Sequence, residues 1–323
     1  MRGRWVKPAI RDEVVELLSY GTGRVGLPLK RLLGWLDLAP GKYQAWKQRQ
    51  GQPNQHNAQT PSQHWLLAWE REAIITFARA HPLDGYRRLC YRMIDEAVVA
   101  CAPSTVYRVL KSAGLLASWE LKSSSKGQGF EQPTAAHQHW HIDVSYLNIA
   151  GTFYYLCSVL DGYSRFIVHW ALEQSMTTAQ VEIVLQAARE RVPGVTPRVI
   201  SDNGPQFIAR DFKDFIRLCG MSHVRTSPYY PQSNGKLERY HKSLKSEAIR
   251  PNSPISLADA RGIVGRYVED YNTVRLHSAI GYVPPQTKLE GREKAIFAQR
   301  QQRLGEARTV RRQAYQKQQA LAA

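Results

Sequence analysis

Three acidic residues stand on separate segments of this chain, and each segment has a pattern typical of regular secondary structure. Asp143 lies within His141–Leu147, an alternating run that predicts a strand, and Asp202 follows the apolar pair Val199-Ile200. Glu238 follows Asp202 after 35 intervening residues, and the polar segment before it favours the start of a helix. We therefore expect three separate elements to bring these carboxylates to one place.

Carboxylates that lie close together restrict the chemistry that they can perform. Two like charges about 4 Å apart repel by roughly 4 kcal/mol at an effective dielectric near 20, so a cluster of three ionised acids requires cations. Oxygen ligands favour Mg²⁺ or Mn²⁺, and both ions also take substrate phosphates as ligands. Two such ions roughly 3.5–4 Å apart activate an attacking oxygen and stabilise a leaving one. The predicted chemistry is phosphodiester cleavage and strand transfer.

The segments around the three acids resemble the DDE transposases of the retroviral-integrase superfamily, and more specifically the bacterial insertion-sequence transposases of the IS-three group. The matching segments are Asp143–Tyr146, Asp161–Arg165, Ser201–Gly204, Ser227–Glu238, Tyr271-Asn272 with Arg275 and His277, and Pro284-Pro285. The resemblance implies that Asp143, Asp202 and Glu238 are catalytic and bind two Mg²⁺ ions, with Mn²⁺ as a substitute. It also implies double-stranded DNA as the partner, both as transposon ends and as target, and a homo-oligomer on that DNA.

The composition agrees with a nucleic-acid partner. The 323 residues carry a formal net charge of +17, the sequence pI is about 9.8, and 43% of the residues are hydrophobic, which is enough for packed cores. A chain this basic is suited to a polyanion, and the alternative is a basic protein with no specific partner. The four cysteines lack metal-binding spacing, and no apolar run is long enough to span a membrane. We expect a cytoplasmic, nucleoid-associated bacterial protein.

Changes in composition divide the chain into helical, linker and catalytic segments. Polar stretches rich in Gln, Asn, Ser or Gly predict linkers. Three meander strands followed by alternating helix and strand predict an α/β RNase H-like core with a mixed five-stranded sheet, preceded by all-α domains. The predicted divisions are a helix-turn-helix domain at 1–50, a linker at 51–63, a second helix-turn-helix domain at 64–117, a linker at 118–136, the catalytic core at 137–291 and a basic tail at 292–323.

Both helical segments carry basic residues where a helix-turn-helix would contact DNA; the alternative for the first is a small helical packing domain. Its candidate recognition helix, 40–48, holds Lys42 and Lys47 together with the aromatic Tyr43 and Trp46. The candidate contacts of the second segment are Arg87, Arg88, Thr105, Arg108 and Lys111, and Tyr107 faces either the groove or the core. Two such domains on a flexible linker would read two separated segments of a DNA end.

The predicted core begins near His137, where three histidines alternate with apolar residues up to Asp143. A histidine zinc site is one alternative for this strand face, and histidine beside a DNA-binding cleft is the other. Asp161, followed by Gly162, is expected to be a structural turn residue. One amphipathic helix is expected after Asp202, with its apolar face running from Phe207 to Ile216.

The helix of Glu238 is expected to carry Lys242 and Lys245 on the same face, four and seven residues later. These lysines would grip phosphates beside the scissile bond, and the alternative is an ordinary surface Glu–Lys pair. Asn203 would orient either Asp202 or a substrate phosphate. The segment Tyr230–Gly235 is expected to be a mobile loop that orders on DNA.

Two segments near the end of the chain leave alternatives open. Asn272, Arg275 and His277 either line a DNA channel or pin the preceding helix. The tail at 292–323 carries eight Lys or Arg residues against two acids, and it is either helical or disordered, with DNA or another subunit as its contact. The alternatives to a transposase are a transposase-derived DNA-binding regulator without catalysis and a metal-dependent DNA nuclease of the same fold.

Overall fold

The protein is described by a computed structural model that covers residues 6–52, 66–116, 132–226 and 235–322. The chain divides into two compact units, residues 1–65 with 314–323 and residues 66–313. Except for Gly235, the loop predicted at Tyr230–Gly235 lies outside the described residues. Within the described ranges, no helix combines the length and the apolar character that crossing a membrane requires.

Three short helices form the amino-terminal part of the first unit. They are α1 (Pro8–Gly23), α2 (Leu29–Trp35) and α3 (Pro40–Gln48). Proline stands in the first turn of α1 and of α3, where a backbone N–H has no intrahelical partner to lose. Tyr43 and Trp46 are buried against Val15 and Leu18, so the aromatic rings of α3 belong to the core and are not presented to DNA.

A second group of three helices opens the larger unit, within the segment 64–117 that was predicted to be a helix-turn-helix domain. It consists of α4 (Ala68–Ala80), α5 (Tyr86–Asp95) and α6 (Pro103–Ser112). Their shared core includes Ile74, Leu89, Met93, Val106 and Leu110. Tyr107 lies on the surface with 39% of its area exposed, and its ring contacts the edge of Tyr86, which excludes the core alternative.

The catalytic segment folds as a five-stranded mixed sheet in the order β3-β2-β1-β4-β5. The strands are β1 (His139–Ile149), β2 (Thr152–Asp161), β3 (Ile167–Glu173), β4 (Arg198–Ser201) and β5 (Ser222–Arg225). The first three are antiparallel, whereas β4 pairs in parallel with β1 and β5 in parallel with β4. This order and these directions confirm the predicted RNase H-like core.

Helices cover both faces of the sheet, because β1 and β2 are apolar on both sides. On one face α7 (Thr178–Arg191) and α9 (Arg210–Leu218) pack on Trp140 and Ile142. On the other face α10 (Gly235–Leu244), a π-helical turn at 245–249 and α12 (Leu257–Thr273) pack on Leu147 and Ile149. Since side chains alternate along a strand, Asp143 shares the second face with Leu147 and points toward the α10 layer.

Three local predictions in the core need correction. His137 does not alternate with the strand residues, because its φ of +59° places it before β1, where its ring accepts a hydrogen bond from the Trp140 indole at 3.1 Å. The single helix expected after Asp202 is broken at Ala209 into α8 (Pro205–Ile208) and α9, which leaves Ile208 exposed. The third strand, which the sequence pattern predicts from Arg165 to Leu172, starts instead at Ile167, because Arg165 has a φ of +69° and belongs to the turn.

Asp161 organises that turn, as predicted. The Asp161 carboxylate is fully buried and accepts hydrogen bonds from the backbone N–H of His137 at 2.8 Å and of Ser164 at 2.7 Å. The Ser164 hydroxyl donates a third bond at 2.5 Å. A buried carboxylate satisfied by three donors stabilises the bend between β2 and β3.

The basic tail is helical over its described length. It forms α14 (Glu293–Ala322), which follows the single turns α11 (Arg250–Asn252) and α13 (Pro285–Leu289). Arg300 pairs with Asp95 of α5 at 2.6 and 2.7 Å, and Arg311 pairs with Glu70 of α4 at 2.7–3.1 Å. These arginines bind the second helical domain, so their contacts lie within the chain.

We predict that Arg311→Met lowers the free energy of unfolding by about 3–5 kcal/mol, because it leaves the buried Glu70 carboxylate without its partner. Urea denaturation followed by circular dichroism measures the change. Arg308→Met on the exposed side of α14 is the matched control and should change stability by less than about 0.5 kcal/mol. Adding Glu70→Gln to Arg311→Met should recover part of the stability, and equal stability of Arg311→Met and the wild type would contradict the pairing.

Candidate functional site

Asp143 lies on β1, and Asp202 directly follows the neighbouring parallel strand β4. In the β1–β4 pairing His141 is opposite Ile200. Each acid follows its paired residue by two positions, and the charge of Asp143 acts on Asp202, so the two acids lie near each other at this edge of the sheet. Adjacent strands lie about 4.8 Å apart, which brings two carboxylates within metal-bridging reach.

The pKa of Asp202 reflects its burial and its nearness to Asp143. Burial, and to a smaller extent the charge of Asp143, raises the pKa of Asp202 above its ordinary value. One Asp202 oxygen accepts the backbone N–H of Gly204 at 2.9 Å, which holds the carboxylate toward the strand end. A Cβ at Gly204 would stand 3.1 Å from this oxygen, so a larger residue would crowd it. The turn after β4 therefore fixes the direction of Asp202.

His241 on α10 links Asp143 to the sheet. Its Nδ1 lies 3.6 Å from a carboxylate oxygen of Asp143, and its Nε2 lies 3.4 Å from the hydroxyl oxygen of Ser158. Ser158 is fully buried and is the β2 residue directly opposite Asp143. His241 was not among the predicted site residues, and its position three residues after Glu238 is the sequence signal that could have identified it.

Lys245 also lies beside Asp143, one turn beyond His241. Burial lowers the pKa of Lys245, and the charge of Asp143 opposes that change, so the two groups interact. Lys245 is the first residue of the π-helical turn that follows α10, and its sharing of a face with Glu238 stays a prediction. Lys242 is instead exposed and faces a cleft, so the two lysines do not act at the same place.

Glu238 is exposed in the first turn of α10, one turn before His241. Its side chain lines the same cleft as Lys242. The described residues hold no group of three His, Cys, Asp or Glu side chains close enough to share a metal ion. The structure thus brings Asp143 and Asp202 together, places the Glu238 helix over them, and does not join the Glu238 carboxylate to the pair.

The donor chemistry at the two aspartates fits a hard divalent cation. Both groups offer only oxygen, and the raised pKa of Asp202 reflects a carboxylate whose charge lacks enough compensation. A cation between them would offset the repulsion that burial strengthens. The side chains that fit such an ion are those of Asp143 and Asp202, with Glu238 as the third candidate.

Asn203 does not orient Asp202 by a hydrogen bond in this structure. Its side-chain amide donates to the carbonyl oxygen of Thr226 at 2.8 Å and so ties the turn after β4 to the end of β5. The same turn residue therefore holds the two parallel strands at the carboxyl edge of the sheet. A contact of Asn203 with phosphate stays a prediction.

A cleft of about 790 Å³ lies between the second helical domain and the core. Its walls come from the start of α5, from α10 and from the segment after α12. The basic residues that line it are Arg87, Arg88, Arg239, Lys242 and Arg275. Two of these are neutralised within the chain, since Arg88 pairs with Asp84 at 2.7 Å and Arg275 pairs with Glu247 at 2.5 and 3.0 Å.

The remaining predicted DNA contacts lie on helix surfaces. Arg108 and Lys111 are exposed on α6, and Thr105 lies one turn earlier, within 3.4 Å of the Arg108 guanidinium. On α3, Lys47 is exposed, while the Lys42 ammonium lies 5.1 Å from the centre of the Trp46 ring. All of these positions are open to a ligand, and their contact with DNA stays a prediction.

The segment that closes the core mainly pins α12. The Asn272 amide exchanges two hydrogen bonds with the backbone of Ile167 at 2.9 and 3.1 Å, which resolves its alternatives in favour of pinning. Arg275 is held by Glu247, and it also lines the cleft. His277 differs, because burial and the surrounding arginines, Arg165 first among them, lower its pKa to about 3.

Comparison with known proteins finds matches to the part of the chain that contains Asp143, Asp202 and Glu238. A family profile described as Integrase core domain matches residues 133–231, and a second profile with that description matches residues 219–285. An uncharacterized 39.2 kDa protein of insertion element IS476 from Xanthomonas euvesicatoria is 27% identical over 217 residues, which are 66% of this chain and 62% of that protein. This chain therefore spans less than two thirds of that relative.

A second relative covers more of the chain. The transposase for insertion sequence element IS629 from Shigella sonnei is 24% identical over 292 residues, which are 87% of this chain and 94% of that protein. Among solved structures, the simian T-cell lymphotropic virus intasome in complex with a PP2A regulatory subunit matches 67% of this chain and 74% of the other, at 15% identity and a TM-score of 0.45. The integrase-core matches show that residues 133–285 are similar to integrase core domains, and the relatives show that the chain is similar to insertion-sequence transposases.

Proposed function

We propose that this protein cuts DNA at the ends of an insertion sequence and joins the freed strands to target DNA, with Asp143, Asp202 and Glu238 as its catalytic residues. One observation carries the proposal: parallel pairing of β1 and β4 brings Asp143 and Asp202 near each other, under the helix that bears Glu238. The raised pKa of Asp202 supports it, because a repelling acid pair is a site prepared for positive charge.

The chain's own residues supply positioning. His241 lies 3.6 Å from the carboxylate of Asp143, and the Gly204 N–H donates to that of Asp202. Lys245 adds a cation beside Asp143 that would bind a phosphate oxygen next to the reacting bond. Groups held by packing and hydrogen bonds in this way reduce the reorganisation that a reaction requires.

Two divalent ions, Mg²⁺ or Mn²⁺, are proposed to be held by Asp143, Asp202 and Glu238. When bound, they would supply the Lewis-acid charge that activates an attacking oxygen and stabilises the leaving oxygen. Three carboxylates repel one another unless cations lie between them, so Glu238 is expected to join the aspartates when cations and DNA bind. Glu238 lies in the first turn of α10, one turn before His241, so its movement toward the aspartates would involve only that helix turn.

Double-stranded DNA is the proposed substrate, as element ends and as target. The net charge of +17 and the basic cleft beside α10 favour a polyanion. The two helical domains would bind the element ends, and α6 offers Arg108 and Lys111 for that purpose. Pairing of two ends requires more than one copy, so a homo-oligomer on DNA is part of the proposal, and a cytoplasmic location stays an expectation.

We predict that Asp143→Asn, Asp202→Asn and Glu238→Gln each reduce strand joining by at least about 100-fold while binding to end DNA changes less than about threefold. Labelled end duplexes incubated with Mg²⁺ and a target plasmid report joined products, and anisotropy reports binding. Asp211→Asn, on the exposed side of α9, is the matched control. Cut ends without joining would indicate a nuclease, and binding without either product in the wild type would indicate a regulator.

A second prediction concerns metal. Asp202→Asn removes a repulsion of about 1 kcal/mol or less after solvent screening, so its melting temperature in EDTA should exceed that of the wild type by roughly 1–3 °C. Added Mg²⁺ should raise the melting temperature of the wild type and leave that of Asp202→Asn unchanged. Differential scanning fluorimetry measures both. An equal Mg²⁺ shift in the two proteins would remove Asp202 from the metal site.

A third prediction concerns the second helical domain. Arg108→Gln combined with Lys111→Gln should reduce the slope of log affinity against log salt by about 0.9 for each phosphate that α6 no longer binds. Arg79→Gln, exposed on α4 of the same domain, should leave the slope unchanged. Filter binding of end duplex over a salt series gives the slopes. An unaltered slope in the double variant would mean that α6 does not contact the backbone.

A further inference from the structure

Four cationic or titratable side chains converge near the start of α10. We define the cationic cluster as Arg165, Lys236, Arg239 and His277. The Lys236 ammonium donates to the carbonyl oxygen of Gly162 at 3.1 Å, which places it over the turn that carries Arg165. Arg165 acts on Lys236 and on His277 as a like charge, and Arg239 acts on Arg165 and on His277 in the same way. The cluster therefore repels itself.

One acid, Asp161, offsets part of the cluster's charge, because its carboxylate attracts Arg165 and Lys236. It forms no ion pair with the cluster within the described residues, and its oxygens already accept three hydrogen bonds from His137 and Ser164. Arg275, which stands close by, is held separately by Glu247. Glu238 lines the same cleft as Arg239 and His277, and the described residues contain no ion pair between Glu238 and any member of the cluster.

The guanidinium of Arg165 is the strongest sign of a missing partner. Its Nε and Nη1 atoms are buried and have no hydrogen-bond partner within the described residues. Its backbone φ of +69° lies in the left-handed region, which disfavours a side chain as large as arginine. A buried charged donor without an acceptor costs stability, so this arrangement is unfavourable unless an anion from outside the chain completes it.

The cluster can be reached from solvent on two sides. Arg239 and His277 line the cleft of about 790 Å³ beside the second helical domain. Arg165 lines a second cavity of about 400 Å³, together with Gly162 and Tyr163. The cluster thus borders the cleft through Arg239 and His277 and the second cavity through Arg165.

We propose that Arg165, Lys236 and Arg239 bind one phosphodiester group of the DNA strand, and that this contact holds the first turn of α10 so that Glu238 is positioned for the reaction. A guanidinium fork together with an ammonium group matches the oxygens of a phosphodiester. Lys236 and Arg239 flank Glu238 in the sequence of α10, so a phosphate bound there restrains the helix turn that carries the acid. The ligand's identity as DNA depends on the proposed function.

The test uses Arg165→Met and Lys236→Met in the full chain, with Lys213→Met on the exposed side of α9 as control. Each cluster variant should bind a short duplex about tenfold more weakly at low salt, with a salt slope reduced by about 0.9. Because each variant removes a repelling charge, its melting temperature without DNA should equal or exceed that of the wild type. Weaker binding with preserved or higher stability is the expected combination.

Two further measurements are needed. The first distinguishes an effect on the position of Glu238 from an effect on DNA binding, and the second distinguishes DNA from a free anion as the ligand of the cluster. At saturating DNA, Lys236→Met should still join strands more slowly than the wild type, and Lys236→Arg should recover most of that rate. Inorganic phosphate should raise the melting temperature of the wild type more than chloride at equal ionic strength, and it should not do so for Arg165→Met. A phosphate effect without a change in duplex affinity would assign the cluster to a free anion and overturn the DNA contact.

Unchanged duplex affinity in both cluster variants would overturn the proposal, as would a lower melting temperature of Arg165→Met with normal DNA binding, which would make Arg165 structural. The outcome for the proposed function is independent. If the wild type joins no strands while Arg165→Met binds DNA more weakly, the phosphate contact stands and the enzymatic proposal fails. If the wild type joins strands and the cluster variants behave normally, only the phosphate contact fails.

Discussion

Electrostatic repulsion between two carboxylates on adjacent parallel strands is the constraint around which the core is arranged. The pairing of β1 with β4 brings Asp143 near Asp202, and burial first, then the charge of Asp143, raises the pKa of Asp202. The surrounding groups hold the pair in place. Gly204 donates its N–H to one acid, and His241 with Ser158 stands against the other. A fold that retains this pair gives up some stability for a site that attracts cations.

The helix α10 connects this acid pair to the basic cleft. Its buried side, Leu237, Tyr240 and Leu244, packs on the sheet and on α12. His241 of α10 and Lys245, which directly follows the helix, lie near Asp143. Arg239 and Lys242 of α10 line the cleft. Positions three and four apart share a helix face. One helix therefore presents the candidate metal-binding residues, the candidate phosphate-binding residues and the core residues on different faces. A contact that shifts the first turn of α10 would therefore reach both the acid pair and the cleft.

The second helical domain is held to the core by polar contacts as well as by packing. Arg300 and Arg311 of α14 pair with acids on α5 and α4, and Tyr91 stacks on Tyr282 with ring centres 4.6 Å apart. In the buried Arg311–Glu70 pair, either charged group would lower the stability of the protein if it were buried without its partner. Through these contacts the domain forms one wall of the cleft, and a basic segment that resembles a tail in the sequence becomes a structural support.

The sequence by itself determined the elements that depend on local patterns. Alternation predicted the strands, the 3.6-residue period predicted most helices, and the neighbours of Asp143, Asp202 and Glu238 predicted an integrase-like core. Asp161 was identified as a turn residue because an acid before glycine at a strand end satisfies nearby N–H groups. Information of this kind is contained in a few adjacent residues, and no distant partner is required to interpret it.

Only the tertiary structure decided which side chains meet. His241 reaches Asp143 because β1 and α10, nearly one hundred residues apart, pack together, and Arg311 reaches Glu70 across most of the chain. The break at Ala209 and the burial of Tyr43 and Trp46 were likewise set by packing. Such contacts depend on the relative placement of whole elements, to which a short sequence pattern is insensitive. Within the described residues, the buried Nε and Nη1 atoms of Arg165 lack a hydrogen-bond partner, which only the packed structure reveals.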